Sequence, residues 1–375
     1  MNKDIPDIFK DRLAQVRKSL SDRNLDALMV LVEENRRYLC GFTGEDTQFD
    51  ESAGALIVTR SECILATDSR FTTQAEREVP FCDIFCYPNG LMPSLPGILI
   101  RLQSKSLGFE SSRVSYAAYQ KMTSQLDSDQ VRIDLMPCEN IVEDLRIIKE
   151  EAEIKAIQAS LGLAESAFQS IAGMIQPGIS EKDLAWSLEK ALREAGADAL
   201  SFPAIVASGP NSALPHAIPS ERKLEKGEPV LFDWGARLNG YCSDISRMRV
   251  AGAPGPTFLK VFDIVRAALE NAIEAIRPGK SSKAIDAVAR THIEKHGYKD
   301  NFGHGLGHGV GCAVHELPRV SPTADTILAP GMVFTVEPGI YLPGWGGIRL
   351  ENMVVVRENG AEVLNHMDFN TLQDN

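Results

Sequence analysis

Five residues of the types that hold divalent cations, Asp233, Asp244, His308, Glu337 and Glu351, are dispersed between positions 233 and 351 of a 375-residue chain. Any fold that uses them together must return the backbone to one place from each of these segments. Four carboxylates and one imidazole make a hard, oxygen-rich donor set, which suits two divalent cations sharing a water better than a structural zinc. His216 and His315 lie in the same region and are free to act on a substrate. The set points to hydrolysis.

A chain of 375 residues is too long for one typical core and reads as two domains, 1–145 and 146–375. A hydrophobic share of 44% and a charged share of 24% are those of an ordinary globular protein. The net charge of -12 argues against nucleic acid or an anionic membrane as the main partner. The start, MNKDIPDIFKDRLAQ, lacks the apolar core of a signal peptide, and no apolar run approaches the ~18 residues that span a bilayer. The seven cysteines are scattered, odd in number and without a CxxC pair, so reduced thiols in a cytoplasmic protein are expected.

The first domain alternates helical and strand patterns. Ile8 to Asp22 reads as a helix, Ala27 to Val32 as an apolar run, Ala55 to Thr59 and Cys63 to Thr67 as two strands across a short turn, Ser106 to Glu110 as a strand and Val114 to Gln125 as a helix. This predicts an α/β domain. All seven histidines lie at position 216 or later, so a metal or acid–base centre is not expected there. In the second domain Glu150 to Ile175, Glu181 to Ala195, Thr257 to Ile276 and Ser281 to His296 read as helices, and the segments between them as strands carrying most of the candidate site residues.

Asp233 and Asp244 can be placed by arithmetic. Asn239-Gly240 is a two-residue hairpin signal; a turn there pairs Leu238 with Tyr241, sets Gly235 against Asp244 and Asp233 against Ser246. The two aspartates become diagonal neighbours, roughly 7 Å apart at their backbones. A cation offsets their repulsion; a solvated acidic hairpin face is the alternative. In GHGLGHGVG, glycines occupy every second position from 303 to 311, so an extended chain would put His304, Leu306, His308 and Val310 on one face and let other backbone approach the opposite one. The segment has neither phosphate-loop spacing nor an HExxH zinc helix. Glu337 and Glu351 are symmetric about Gly344, and a hairpin closing there brings them opposite each other, although a loop of that size permits other registers.

These residues, in this order and spacing, closely resemble the metallo-aminopeptidases and prolidases of the pita-bread fold. The resemblance runs from about Glu150 through SGPNSALPH, DWGARLNGYCSD, GHGLGHGVGCAVHE, TVEPGIY and GIRLEN. NRRYLCGFTG and ATDSRFTTQA resemble the amino-terminal domain of the creatinase/prolidase branch. The resemblance implies a second domain of α+β type, with a curved, mainly antiparallel sheet flanked by helices. It implies metal ligands Asp233, Asp244, His308, Glu337 and Glu351, with Asp244 and Glu351 touching both ions, and His216, His315 and Glu337 as catalytic groups, with His304 and Arg349 near the substrate. The sequence departs from the family pattern at Asn352, at Cys312-Ala313 and at Ser246, which bears on tuning around the ligands and on substrate preference.

The expectation is an exopeptidase that releases the residue before proline from short proline-containing peptides, an Xaa-Pro aminopeptidase, with Glu337 relaying the proton of the metal-activated water. An Xaa-Pro dipeptidase is the alternative; it needs a cation for the substrate carboxylate, for which Arg319 and Arg349 are candidates. A non-peptidase acting on a small amide or zwitterion is a third reading. Manganese is the expected metal, ahead of cobalt or zinc. Relatives with the extra domain suggest a homodimer, in which Asp68 and Arg70 would border the partner's site unless they form a structural pair.

Overall fold

The computed structural model describes residues 5–46, 48 and 51–369. Its internal contacts separate two compact units, Met1–Arg146 and Ile147–Asn375. The first contains α1 (Asp7–Asp22), β1 (Ala27–Val30), α2 (Glu33–Cys40), β2 (Ala55–Thr59), β3 (Cys63–Thr67), α3 (Thr72–Glu78), β4 (Asp83–Cys86), α4 (Leu91–Arg101), β5 (Ser106–Glu110), α5 (Tyr116–Ser128), β6 (Asp134–Cys138) and α6 (Glu143–Arg146). The strands form one mixed sheet in the order β4-β3-β2-β1-β5-β6, parallel at β3–β4, β1–β5 and β5–β6. Every residue of β1, β2 and β3 is buried, which is why these strands read as continuous apolar runs rather than alternating ones. Leu95, Ile98, Met122 and Leu126 of α4 and α5 pack on Ala27, Met29, Ile57 and Ile64 of the sheet.

Two sequence expectations meet observations in this unit. Asp68 and Arg70 pair with each other at 2.8 Å on the surface of the unit, as the structural reading of that motif expects. Cys63 and Cys82 form a disulfide with their Cα atoms 5.2 Å apart, which corrects the expectation of reduced thiols throughout. The cause is the parallel register Ile64↔Asp83, which sets the two preceding residues side by side although 19 positions separate them. The other five cysteines form no disulfide among the described residues.

The second unit begins with α7 (Glu151–Ile171), opened by a reciprocal capping box between Glu150 and Glu153, and α8 (Glu181–Glu194), capped by Ser180. Then come β7 (Ala199–Leu200), β8 (Ile205–Ser208), β9 (Pro229–Trp234), β10 (Ala236–Leu238), β11 (Tyr241–Cys242) and β12 (Ile245–Val250). After α9 (Pro256–Ala275) and α10 (Ser282–Lys295) follow β13 (Gly307–Gly309), β14 (Glu316–Val320), β15 (Val333–Val336), β16 (Gly339–Leu342), β17 (Gly346–Arg349), β18 (Asn352–Arg357) and β19 (Gly360–Val363). Within this unit the ladders among the described residues are antiparallel, the α+β arrangement expected of this half.

Strand periodicity divides the core. Val230, Phe232, Trp234, Met353 and Val355 meet Ile157, Leu161 and Phe168 of α7. Leu231, Met248, Phe334, Val354 and Val356 meet Phe258, Val265 and Leu269 of α9. Neighbours along one strand thus serve opposite faces, each covered by its own helices. Among the described residues no helix is long and apolar enough to cross a membrane.

Candidate metal centre

The turn at Asn239 (φ 51°) and Gly240 (φ 82°) has positive φ at both positions, the two-residue hairpin geometry that Asn-Gly favours. Leu238 pairs with Tyr241, and beyond a short interruption Ser246 pairs with Asp233. The interruption falls at Gly235 and Asp244. A Cβ at Gly235 would sit 1.9 Å from the Ser243 carbonyl oxygen, so only glycine lets the two strands close there. The second hairpin repeats the device. Gly344 (φ 84°) turns the chain, Gly339 pairs with Arg349 and Val336 with Asn352, and the gap between these ladders holds Glu337 and Glu351 in opposite register. The hairpins are tied together, since the Glu351 N–H donates to the Ser246 carbonyl at 3.3 Å.

The glycine-rich segment supplies the imidazole. Only Gly307–Gly309 of it is strand, so His304 lies outside the face it was expected to share with His308. Cβ atoms at Gly307 and Gly309 would meet the carbonyls of Thr335 and Leu317 at 1.9 and 2.1 Å; here the glycines do admit foreign backbone. His308 lies within hydrogen-bond reach of the Gly309 carbonyl through Nδ1, at 3.1 Å. That contact assigns the proton to Nδ1 and leaves the Nε2 lone pair facing Asp244 at 3.5 Å and Glu337 at 3.4 Å.

Asp233, Asp244 and Glu351 each offer an oxygen within 4.8 Å of the others, and all three are buried. With His308 and Glu337 the structure therefore brings together all five candidate ligands. Burial pushes the Asp244 carboxyl well above the usual carboxylate range, and the charges of Glu351, Asp233 and Glu337 push it further. Burial, then Glu337 and Asp233, does the same to Glu351. Glu337 is raised by burial to about 7, and His308 is lowered by burial, then by His315, to about 3. Four crowded carboxylates around a neutral imidazole call for positive charge. Asp233 Oδ1 and Glu351 Oε1 are buried without a hydrogen-bond partner, orphaned acceptors of the kind a divalent ion satisfies. The donor set fits two such ions.

Around it lies a cavity of about 560 Å³, whose walls include Phe202, His216, Ile218, His304, His315, Arg319 and Arg349. The His315 ring is 4.2 Å from that of His308. Arg349 is buried and paired with the Asp233 carboxylate; it also donates to Ser246 Oγ, the Pro215 carbonyl and the Tyr341 hydroxyl. His304 reaches that hydroxyl through Nε2 at 2.9 Å, and burial lowers its pKa to about 4. Tyr341, which joins Arg349 to His304, escaped the sequence reading; its position facing Gly347 in the second hairpin was the available signal. Missed as well was the buried Lys149–Glu316 pair, 2.5 Å, which anchors the turn carrying His315.

Residues 155–358 match the metallopeptidase family M24 and residues 12–148 the creatinase/prolidase N-terminal domain. The Xaa-Pro dipeptidase of Pyrococcus horikoshii is 32% identical over 96% of this chain and 97% of its own length. Among solved structures, the Xaa-Pro dipeptidase from Bacillus anthracis superposes with a TM-score of 0.89 at 34% identity, covering 96% of this chain and 98% of that one. The X-Pro aminopeptidase from Thermotoga maritima gives 0.86 at 34% identity, covering 95% and 98%. The two-unit fold, the gathered carboxylates and these matches agree: the chain is a metal-dependent peptidase and belongs to metallopeptidase family M24, with a creatinase/prolidase-type N-terminal domain.

Proposed function

We propose that this chain is an Xaa-Pro dipeptidase, the second of the two peptidase readings of the sequence. One observation carries the choice. Arg319 is exposed, lines the cavity, stands opposite His308 in the β13–β14 register, and makes no ion pair or side-chain hydrogen bond among the described residues. Arg349, the other candidate cation, is already engaged by Asp233. A guanidinium left unpaired beside a metal centre suits the free carboxylate of a dipeptide, which a longer peptide places farther away. The dipeptidases among the similar proteins support the same reading.

Asp233, Asp244, His308, Glu337 and Glu351 would hold two divalent ions, manganese before cobalt or zinc. When bound, the ions supply Lewis acidity and a water of lowered pKa. Glu337, whose Oε1 accepts from Thr335 Oγ1 at 3.1 Å, takes a proton and returns it to the leaving proline nitrogen. His315 and His216 donate to the developing oxyanion or orient the substrate. The likeness to the Thermotoga aminopeptidase favours a second reading, release of the first residue from longer peptides. The test is to compare Xaa-Pro dipeptides with Xaa-Pro-Yaa tripeptides as substrates of the manganese-loaded protein. Dipeptides should be cleaved and tripeptides poorly. Equal or faster release from tripeptides would establish the aminopeptidase, and cleavage of neither would move the function to another small amide.

A further inference from the structure

Glu181, in the first turn of α8, does not line the cavity, yet it is fully buried and receives hydrogen bonds from both ends of one loop of it. Its Oε1 accepts from the Ser208 N–H at 2.7 Å and the Ser208 hydroxyl at 2.8 Å. Its Oε2 accepts from the Ser220 N–H at 3.1 Å and the Ser220 hydroxyl at 2.6 Å. The Asn211 amide donates to both oxygens at 3.1 Å. Residues 208–220 leave β8, pass His216 and Ile218 on the cavity wall, and return to the same carboxylate. Nearer its middle the loop is held again, by Arg349 on the Pro215 carbonyl at 3.0 Å and by the Gly347 N–H on Ser212 Oγ at 2.8 Å.

Each oxygen of Glu181 faces a backbone N–H, and a backbone N–H cannot turn round to accept. A glutamine of the same shape must therefore oppose one N–H with its own NH2, whichever way the amide is placed. We propose that Glu181 is a positioning residue for the reaction: its carboxylate sets the span from Ser208 to Ser220 and thereby where His216 meets the substrate. The inference rests on His216 acting in Xaa-Pro cleavage.

A double-mutant cycle on the manganese-loaded, full-length protein tests it, with kcat and KM measured on one Xaa-Pro dipeptide for wild type, E181Q, H216A and the double variant, and metal content measured on each. E181Q should lower kcat/KM by about 10- to 100-fold at unchanged metal content. In the H216A background it should cost less than about twofold, because its effect travels through His216. Equal losses in both backgrounds, or an E181Q enzyme of wild-type activity, overturn the proposal while leaving the dipeptidase reading intact. H216A at the wild-type rate overturns the role of His216 and the proposal with it. Should E181Q fail to fold, S220A removes a single donor from the same carboxylate and carries the cycle, with the same dependence on His216 required.

Discussion

At the scale of single residues, the centre depends on which atoms are already engaged. His308 offers Nε2 because Nδ1 is directed at the Gly309 carbonyl, and Asp233 and Glu351 each keep one oxygen buried without a partner. Glu337 is at once a candidate ligand and the group best placed to move a proton. Glu337→Gln keeps the size and loses the basicity, so kcat should fall by at least about 100-fold while dipeptide affinity, measured by inhibition of wild-type-like binding or directly by calorimetry, changes little; an active Glu337→Gln enzyme would contradict that role. Arg319 makes a different prediction, since the role proposed for it is in binding. Arg319→Ala should cost roughly 10- to 100-fold in kcat/KM on dipeptides, the worth of a hydrogen bond to a charged group, and much less on tripeptides. Equal loss on both would remove Arg319 as the carboxylate's partner. The sequence offered Arg319 and Arg349 as candidate cations without placing them, and nothing in it could say that Arg349 is engaged with Asp233 and Arg319 is not, because that division depends on burial.

At the scale of elements, the two hairpins were legible because a two-residue periodicity and a turn position determine every pairing that follows. Asn239-Gly240 gave Asp233 opposite Ser246, and the symmetry about Gly344 gave Glu337 opposite Glu351. Less legible was the glycine-rich segment, where extended chain extends over Gly307–Gly309 alone and His304 turns to Tyr341 instead. The Cys63–Cys82 pairing was hidden because it follows from a parallel register that no local signal marks. Long-range ion pairs were equally invisible. Lys149 and Glu316 lie 167 positions apart, with side chains 1% and 6% exposed. Glu316 also accepts from the Ala313 N–H, so the pair holds the turn that carries His315. Lys149→Met leaves a buried carboxylate without its cation and should destabilise by about 3–5 kcal/mol, read from denaturant unfolding; a change under about 1 kcal/mol would mean that the pair behaves as an exposed one.

At the scale of the whole molecule, the family and the fold were recoverable from sequence because motifs in both halves resemble those of the family, and the candidate ligands meet because two hairpins and the glycine-rich strand return the chain to one place, whereas the proposed choice between peptidases rests on one exposed arginine. The crowding of carboxylates has a consequence for stability. Asp244, Glu337 and Glu351 have raised pKa values in the folded, metal-free chain, about 7 for Glu337. A carboxyl raised in this way contributes its full stability below the ordinary carboxylate range and loses it as pH rises through the folded value. The metal-free protein should therefore lose stability as pH rises above about 4, the ordinary carboxylate value, and on through about 7 for Glu337. Divalent ions bind the deprotonated set, so the gain in Tm on adding manganese should grow over the same interval. A gain independent of pH would mean that these carboxylates do not hold the metal.

The most direct test is to strip the protein of metal and titrate manganese back while following hydrolysis of an Xaa-Pro dipeptide. No activity in the stripped protein and a rise to a plateau near two equivalents per chain are predicted; full activity without metal, or loading with two equivalents and no cleavage, would contradict a dinuclear dipeptidase.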